Sequence, residues 1–207
     1  ETGSKKLVIT TGGKLKIMAE ERNIPVFSFD YKAQPRAALP FSLLPILGFL
    51  QRLGFIRDKS ADVAETVATL EKLSRSINEG VSLSQNPSKQ LANRLYGHLA
   101  IIYGADILSE VAHRWKTQLN ENSKAWAFYE VFPELNHNAV VGYQFPLELA
   151  SKIVIVLLRS VYLLKRILFR YQITCQLLEQ AKISYQIVEG EGTSPLSQMM
   201  SLVLFGD

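Results

Sequence analysis

Apolar and polar positions alternate in blocks along this chain. Leu7 to Thr10 is a short apolar, β-branched run that meets Gly12-Gly13. A polar stretch with helical spacing follows to Asn23, then Pro25 and a second apolar run, Val26 to Phe29. A short run, a turn, a helix and a second short run predict a β-α-β unit, whose crossover returns the chain parallel to itself. Two parallel strands can neither cover both faces nor satisfy their edges, so this first segment is expected to need further strands.

Phe41 to Leu53 reads as an apolar helix. Ser60 to Ile77 reads as an amphipathic one, with Val63, Val67, Leu70 and Ile77 on one stripe. Both are expected to connect domains, and Gly80 to Pro87, rich in Ser and Asn, is the linker candidate. A second α/β series follows. Strands are predicted at Leu99–Tyr103 (ending in Gly104), Ala125–Val131, Lys152–Leu158 and Tyr185–Val188. Helices are predicted at Asp106–Leu119, Leu163–Ala181 and Pro195–Phe205, the last capped by Thr193 or Ser194. This order predicts an α/β fold with a doubly wound parallel sheet, in which ligands gather beyond the C-terminal ends of the strands.

Composition narrows the class. The 207 residues are 47% hydrophobic and 20% charged, which suits a globular chain rather than a disordered or fibrous one. The most apolar stretch, Ile153 to Phe169, is interrupted by Arg159, Lys165 and Arg166, which argues against a membrane span. The charged start, Glu1 to Lys6, lacks the apolar centre of a signal peptide. A single cysteine, Cys175, allows no internal disulfide and no cysteine-rich zinc site and fits a reducing compartment, so the cytoplasm is expected. The formal charge of +4 would attract phosphate-bearing molecules, but the cations are spread along the chain and do not favour nucleic acid as a partner.

Three polar segments sit between core elements: Gln34-Pro35-Arg36-Ala37-Ala38 after a strand, Asn120-Glu121-Asn122 at a helix C-terminus, and Pro133-Glu134-Leu135-Asn136-His137-Asn138. A carboxylate at a helix C-terminus opposes the helix dipole, which marks Glu121. Read singly, a loop arginine is usually a solvated charge, a loop carboxylate a turn or cap residue, and a loop histidine more often structural than catalytic. His113, within a helix, and His98, at a strand start, read as structural.

Taken in order, the run Val8 to Leu15, the Pro35-Arg36-Ala37-Ala38 loop, the run Trp115 to Asn122 and the run Pro133 to Asn138 resemble the bifunctional phosphoglucose/phosphomannose isomerase family. The similarity extends to Asn86–Ala92 and Leu202–Asp207. The resemblance implies two sugar-isomerase (SIS) domains, with residues 1–40 the C-terminal part of a first one, 41–85 connecting helices and linker, and 86–207 the second. It further implies a glucose 6-phosphate or mannose 6-phosphate to fructose 6-phosphate isomerase acting through a cis-enediol. Glu121 would be the catalytic base, His137 the ring-opening residue and Arg36 the substrate-binding cation that steadies the intermediate. One carboxylate can move a proton between neighbouring carbons on one face, a guanidinium can face the developing oxyanion, and an imidazole can protonate a ring oxygen. The scheme uses no metal and no organic cofactor.

By the same resemblance the chain works as a homodimer with shared active sites, His137 entering its neighbour's site. Relatives carry a phosphate-binding Ser/Thr-rich loop before the segment at Leu7, and a tail with a functional lysine after Asp207. Neither stands in this sequence, and Leu163-Leu164-Lys165 replaces a histidine-proline pair. Two alternatives stand beside the enzyme: a non-catalytic SIS module binding a sugar phosphate or a protein, and an architectural interaction protein.

Overall fold

A computed structural model describes residues 3–207; Glu1 and Thr2, at the head of the charged N-terminal run, lie outside the described residues. The chain forms two compact units, residues 1–59 and 60–207.

In the first unit β1 (Val8–Thr10) and β2 (Val26–Ser28) pair in parallel around α1 (Gly13–Glu21), as the pattern predicts. Gly12 and Gly13 turn the chain at φ 137° and 68°, conformations that a side chain would disfavour, and the Thr10 hydroxyl bonds to Gly12 on both sides. A 3-10 turn, Pro35–Ala37, leads into α2 (Leu39–Arg52). Phe29 stacks on Phe41 at 5.2 Å, and Phe27 meets Phe49 edge-on. Ala19 is the single buried residue among those described in this unit, while Leu15, Ile17, Met18, Leu44 and Ile46 stay exposed.

The second unit is built on four parallel strands in the order β4-β3-β5-β6. Along the chain it comprises α3 (Ser60–Ile77), α4 (Pro87–Leu95), β3 (Leu99–Ala105), α5 (Ser109–Glu121), β4 (Ala127–Phe132), β5 (Ile153–Arg159), α6 (Lys165–Gln180), β6 (Ser184–Glu189) and α7 (Pro195–Gly206). Alternation along β3 and β5 feeds two cores. Tyr103, Ala105, Ile155 and Leu157 pack with Ile167, Tyr171 and Leu178 of α6. Ala100, Ile102, Val154 and Val156 are also buried, as are Ala112 and Trp115 of α5 and Leu202 of α7. A sheet covered on both faces explains the unbroken apolar run of β5.

Four details differ from the sequence expectation. Gly104 does not end β3 but lies within it, because a Cβ there would approach the Leu108 carbonyl oxygen to 2.4 Å; its absence lets the start of α5 press on the strand. Helix α4 was not anticipated. It is capped by the fully buried Asn86, whose side chain accepts from Lys89 N at 2.9 Å and donates to Asn78 O at 3.1 Å. Lys89 Nζ then donates to Glu79 O and Val81 O, so the stretch expected as a linker is pinned. Finally, α3 packs along α7 within the second unit.

Candidate functional site

Glu121 is the last residue of α5. That helix buries Val111, Ala112, Trp115 and Gln118, a stripe with helical spacing. Its C-terminal carbonyls are satisfied locally: Asn122 N donates to Gln118 O at 2.8 Å, Ala125 N to Leu119 O at 3.2 Å, and Lys124 Nζ to Glu121 O at 2.5 Å. Lys124, at φ 55°, turns the chain toward β4 and brings its cation to the negative helix end. The Glu121 side chain is exposed, and among the described residues its carboxylate has no hydrogen-bond or ion-pair partner.

His137 follows β4 in the loop of 3-10 turns between β4 and β5. Its backbone is set by the bond from His137 N to Glu134 O, at 2.8 Å, and its ring is exposed. The neighbours are anchored. Leu135 is fully buried in the α6-side core, and Asn136 Nδ2 donates to Thr174 Oγ1 at 2.8 Å. Arg170 Nη1 reaches Asn136 Oδ1 at 3.5 Å.

Arg36 belongs to the first unit, beyond the C-terminal end of β2, and is half-buried. Pro35 presets the turn, and the Tyr31 hydroxyl donates to Gln34 O at 2.7 Å, fixing its entry.

Within one copy the second unit keeps Glu121 and His137 apart. Helix α5 starts beside the C-terminal end of β3 and finishes at the start of β4, whereas His137 lies past the end of β4. They lie toward opposite ends of a six-residue strand, about 17 Å long at 3.3–3.4 Å per step. The reading that chemistry lies at the C-terminal ends of the strands therefore fits the position of His137 and not that of Glu121.

The C-terminal rim of β5 and β6 is filled by the chain itself. Gln198 Oε1 accepts from Ser160 Oγ at 2.5 Å and from Val161 N, while Gln198 Nε2 donates to Gly192 O at 2.9 Å. Glu65 of α3 accepts from the Thr193 amide and, at 3.0 Å, from its hydroxyl. The Ser194 hydroxyl and the Thr193 amide hold the Glu65 carboxyl below its ordinary value. Sequence reading missed Glu65 because its partner lies 128 residues away with no local motif. In the other core, the Tyr103 and Tyr143 hydroxyls meet at 2.9 Å, and burial pushes both phenols upward. Burial likewise raises the Cys175 thiol, leaving it poorly suited as a nucleophile. His113 stacks on Tyr129 at 4.5 Å, in keeping with a structural role. Among the described residues no cluster of His, Cys, Asp or Glu is arranged to hold a metal, and no helix is long and apolar enough to cross a membrane.

This architecture is that of sugar-isomerase (SIS) domain proteins. Its fold is similar to that of a glucose-6-phosphate isomerase-like protein from Thermus thermophilus, with a TM-score of 0.67 and 18% identity, covering 100% of this chain and 70% of that one. More particularly, residues 84–207 match the family model of the bacterial phospho-glucose isomerase C-terminal SIS domain, and the chain belongs to that family. It is 38% identical over 206 residues to a bifunctional phosphoglucose/phosphomannose isomerase of Caldicellulosiruptor bescii, covering 99% of this chain and 61% of the relative. It is 33% identical over 205 residues to the enzyme of the same description from Aquifex aeolicus, covering 99% and 60%. The chain thus spans about three fifths of the length of these curated relatives.

Proposed function

We propose that this chain is part of a cytoplasmic aldose-ketose isomerase of glycolysis and gluconeogenesis that interconverts glucose 6-phosphate, and mannose 6-phosphate, with fructose 6-phosphate through a cis-enediol. Residues 1–40 then belong to a first SIS domain, 41–85 connect, and 86–207 form the second, a division that the family match over 84–207 supports. Support for the activity comes from similarity to relatives of that description over 99% of the chain.

Three side chains divide the work. His137 protonates the ring oxygen of the cyclic sugar and opens it. Glu121 takes the C2 proton and returns it to C1 on the same face, its exposed carboxylate having no competing partner among the described residues. Arg36 faces the enediolate oxygen and never surrenders its own proton.

The observation that carries the arrangement is the placement of Glu121 and His137 toward opposite ends of strand β4. Proton transfer works at about 3 Å, and the strand between the two groups runs about 17 Å, which supports a site assembled from two copies. The working unit is then a two-fold homodimer in which His137 of one copy completes the site holding Glu121 of the other. Exposed Val141, Phe145, Leu147 and Phe169 supply apolar surface suited to such an interface.

The test uses the full polypeptide that carries this chain. Glu121→Gln and His137→Ala are each expected to lower fructose 6-phosphate isomerisation at least about a hundredfold. Co-assembled as mixed dimers, confirmed by mass, the two variants recover activity, because both lesions fall in one site and leave the other intact. Failure of mixed dimers to exceed either pure variant rejects the shared site, and a Glu121→Gln enzyme within a few-fold of the parent rejects the base.

A further inference from the structure

The C-terminal turn of α7 is locked to α5 just before Glu121. Asp207 Oδ2 accepts from Arg114 Nη2 at 2.7 Å, and Asp207 Oδ1 accepts from Gln118 Nε2, also at 2.7 Å. Trp115 Nε1 donates to Leu202 O at 2.8 Å, and the indole stacks on Phe205. At Gly206 an added Cβ would come within 2.4 Å of the Trp115 ring, so the two helices touch there with no room for a side chain.

Arg114, Gln118 and Glu121 lie at i, i+4 and i+7, one stripe of one helix. Gln118 is buried, its side chain is fixed by Asp207, and its own carbonyl accepts the Asn122 amide that closes the turn bearing Glu121. Asp207 also engages the Arg114 guanidinium, which stands two helical turns, about 10 Å of rise, from Glu121.

We infer that Asp207 is a positioning residue for Glu121: it fixes the last turn of α5 through Gln118. The inference rests on the proposed role of Glu121. The Arg114–Asp207 pair is largely shielded, with side-chain exposures of 18% and 32%, and holds the two helices together as well. With the Gln118 bond it commits both carboxylate oxygens of Asp207 to the stripe that ends in Glu121.

Asp207→Ala and Asp207→Asn in the full polypeptide test this; the asparagine keeps the shape while removing the charge. Amide exchange of Asn122 and Ala125 is expected to quicken about tenfold, the equivalent of one weakened hydrogen bond, with exchange across β3 and β5 unchanged. A small displacement of a catalytic group costs up to about a hundredfold in rate, so kcat is expected to fall between about tenfold and that limit, with KM within twofold. Should the alanine variant fail to fold, the asparagine variant decides. Exchange at both amides within twofold of the parent, or a rise in KM with kcat unchanged, overturns the inference. Glu121→Gln assayed in parallel separates the two ways of failing. If Glu121→Gln stays active, the proposed base falls and the positioning role with it. If Glu121→Gln is inactive while the Asp207 variants keep kcat and exchange, the positioning role alone falls.

Discussion

Leu135→Ala should loosen the loop that presents His137 and weaken the second unit at the same time. Leu135 is fully buried and packs in the core that includes Phe132, Tyr171 and Leu163. Truncation removes three carbon atoms, about 2.4 kcal/mol at 0.8 kcal/mol each, and leaves a cavity that raises the cost within the 2–5 kcal/mol range for such changes. A loss of about 3–4 kcal/mol is expected. Urea unfolding followed by Trp115 fluorescence measures it, because Trp115 is buried in this unit; the exposed Trp126 is replaced by Phe in both parent and variant to remove its signal. With a slope of about 2 kcal/mol per molar urea, the midpoint moves down by about 1.5–2 M. A shift smaller than about 0.5 M would mean that the loop is not held by this side chain. The reasoning from Leu135 to His137 would then fail. Leu83→Ala, at a half-exposed position outside both cores, is the control and should change stability by no more than about 0.5 kcal/mol.

Two further outcomes follow from the same contacts. The Glu65 carboxyl is held below its ordinary value of 4.5 by Ser194 and Thr193, so its folded value lies under its unfolded one. Its contribution to stability is complete above the unfolded value and disappears as pH falls through the folded one. The difference in urea midpoint between parent and Glu65→Gln should therefore shrink below pH 4.5, and a constant difference from pH 7 down to about 3 would show that Glu65 is not bonded as described. In the first unit, where Ala19 is the single buried residue among those described, the amides of β1 and β2 should exchange far faster than those of β5 when the chain is isolated. Equal protection would contradict the expectation that this segment needs further strands.

Much of the fold was legible because burial leaves a periodic trace. The apolar run of β5, the alternation around Gly104 and the Ser194-Pro195 start of α7 each state their element locally; the Ser194 side chain does accept from Ser197 N, at 3.2 Å. What was not legible depends on distant partners or on space. Helix α4 follows a Ser- and Asn-rich stretch that reads as a linker, and its start is fixed by bonds of Asn86 and Lys89 back to Asn78, Glu79 and Val81. Gly104 looked like a strand end, since nothing in the local sequence says that Leu108 will press against it. For the site, the residue types and their neighbours were readable, whereas the separation of Glu121 from His137 emerges only once α5 is seen to run back along β4.

The three proposed functional side chains share one physical arrangement: each is exposed or half-exposed, and each stands within a few residues of one that is fixed. Gln118, buried and bonded to Asp207, precedes Glu121 by a turn. Leu135 and Asn136, one buried and the other bonded to Thr174, precede His137. Pro35 and the Tyr31-anchored Gln34 precede Arg36. Such a side chain keeps access to a ligand while its backbone takes its precision from the core, and the cost of ordering it is met during folding rather than during binding. A change at one of the fixed neighbours is therefore expected to disturb the geometry of the proposed groups, and so kcat, in addition to any cost in stability. A change at an exposed residue away from these anchors should leave the chemistry as it was.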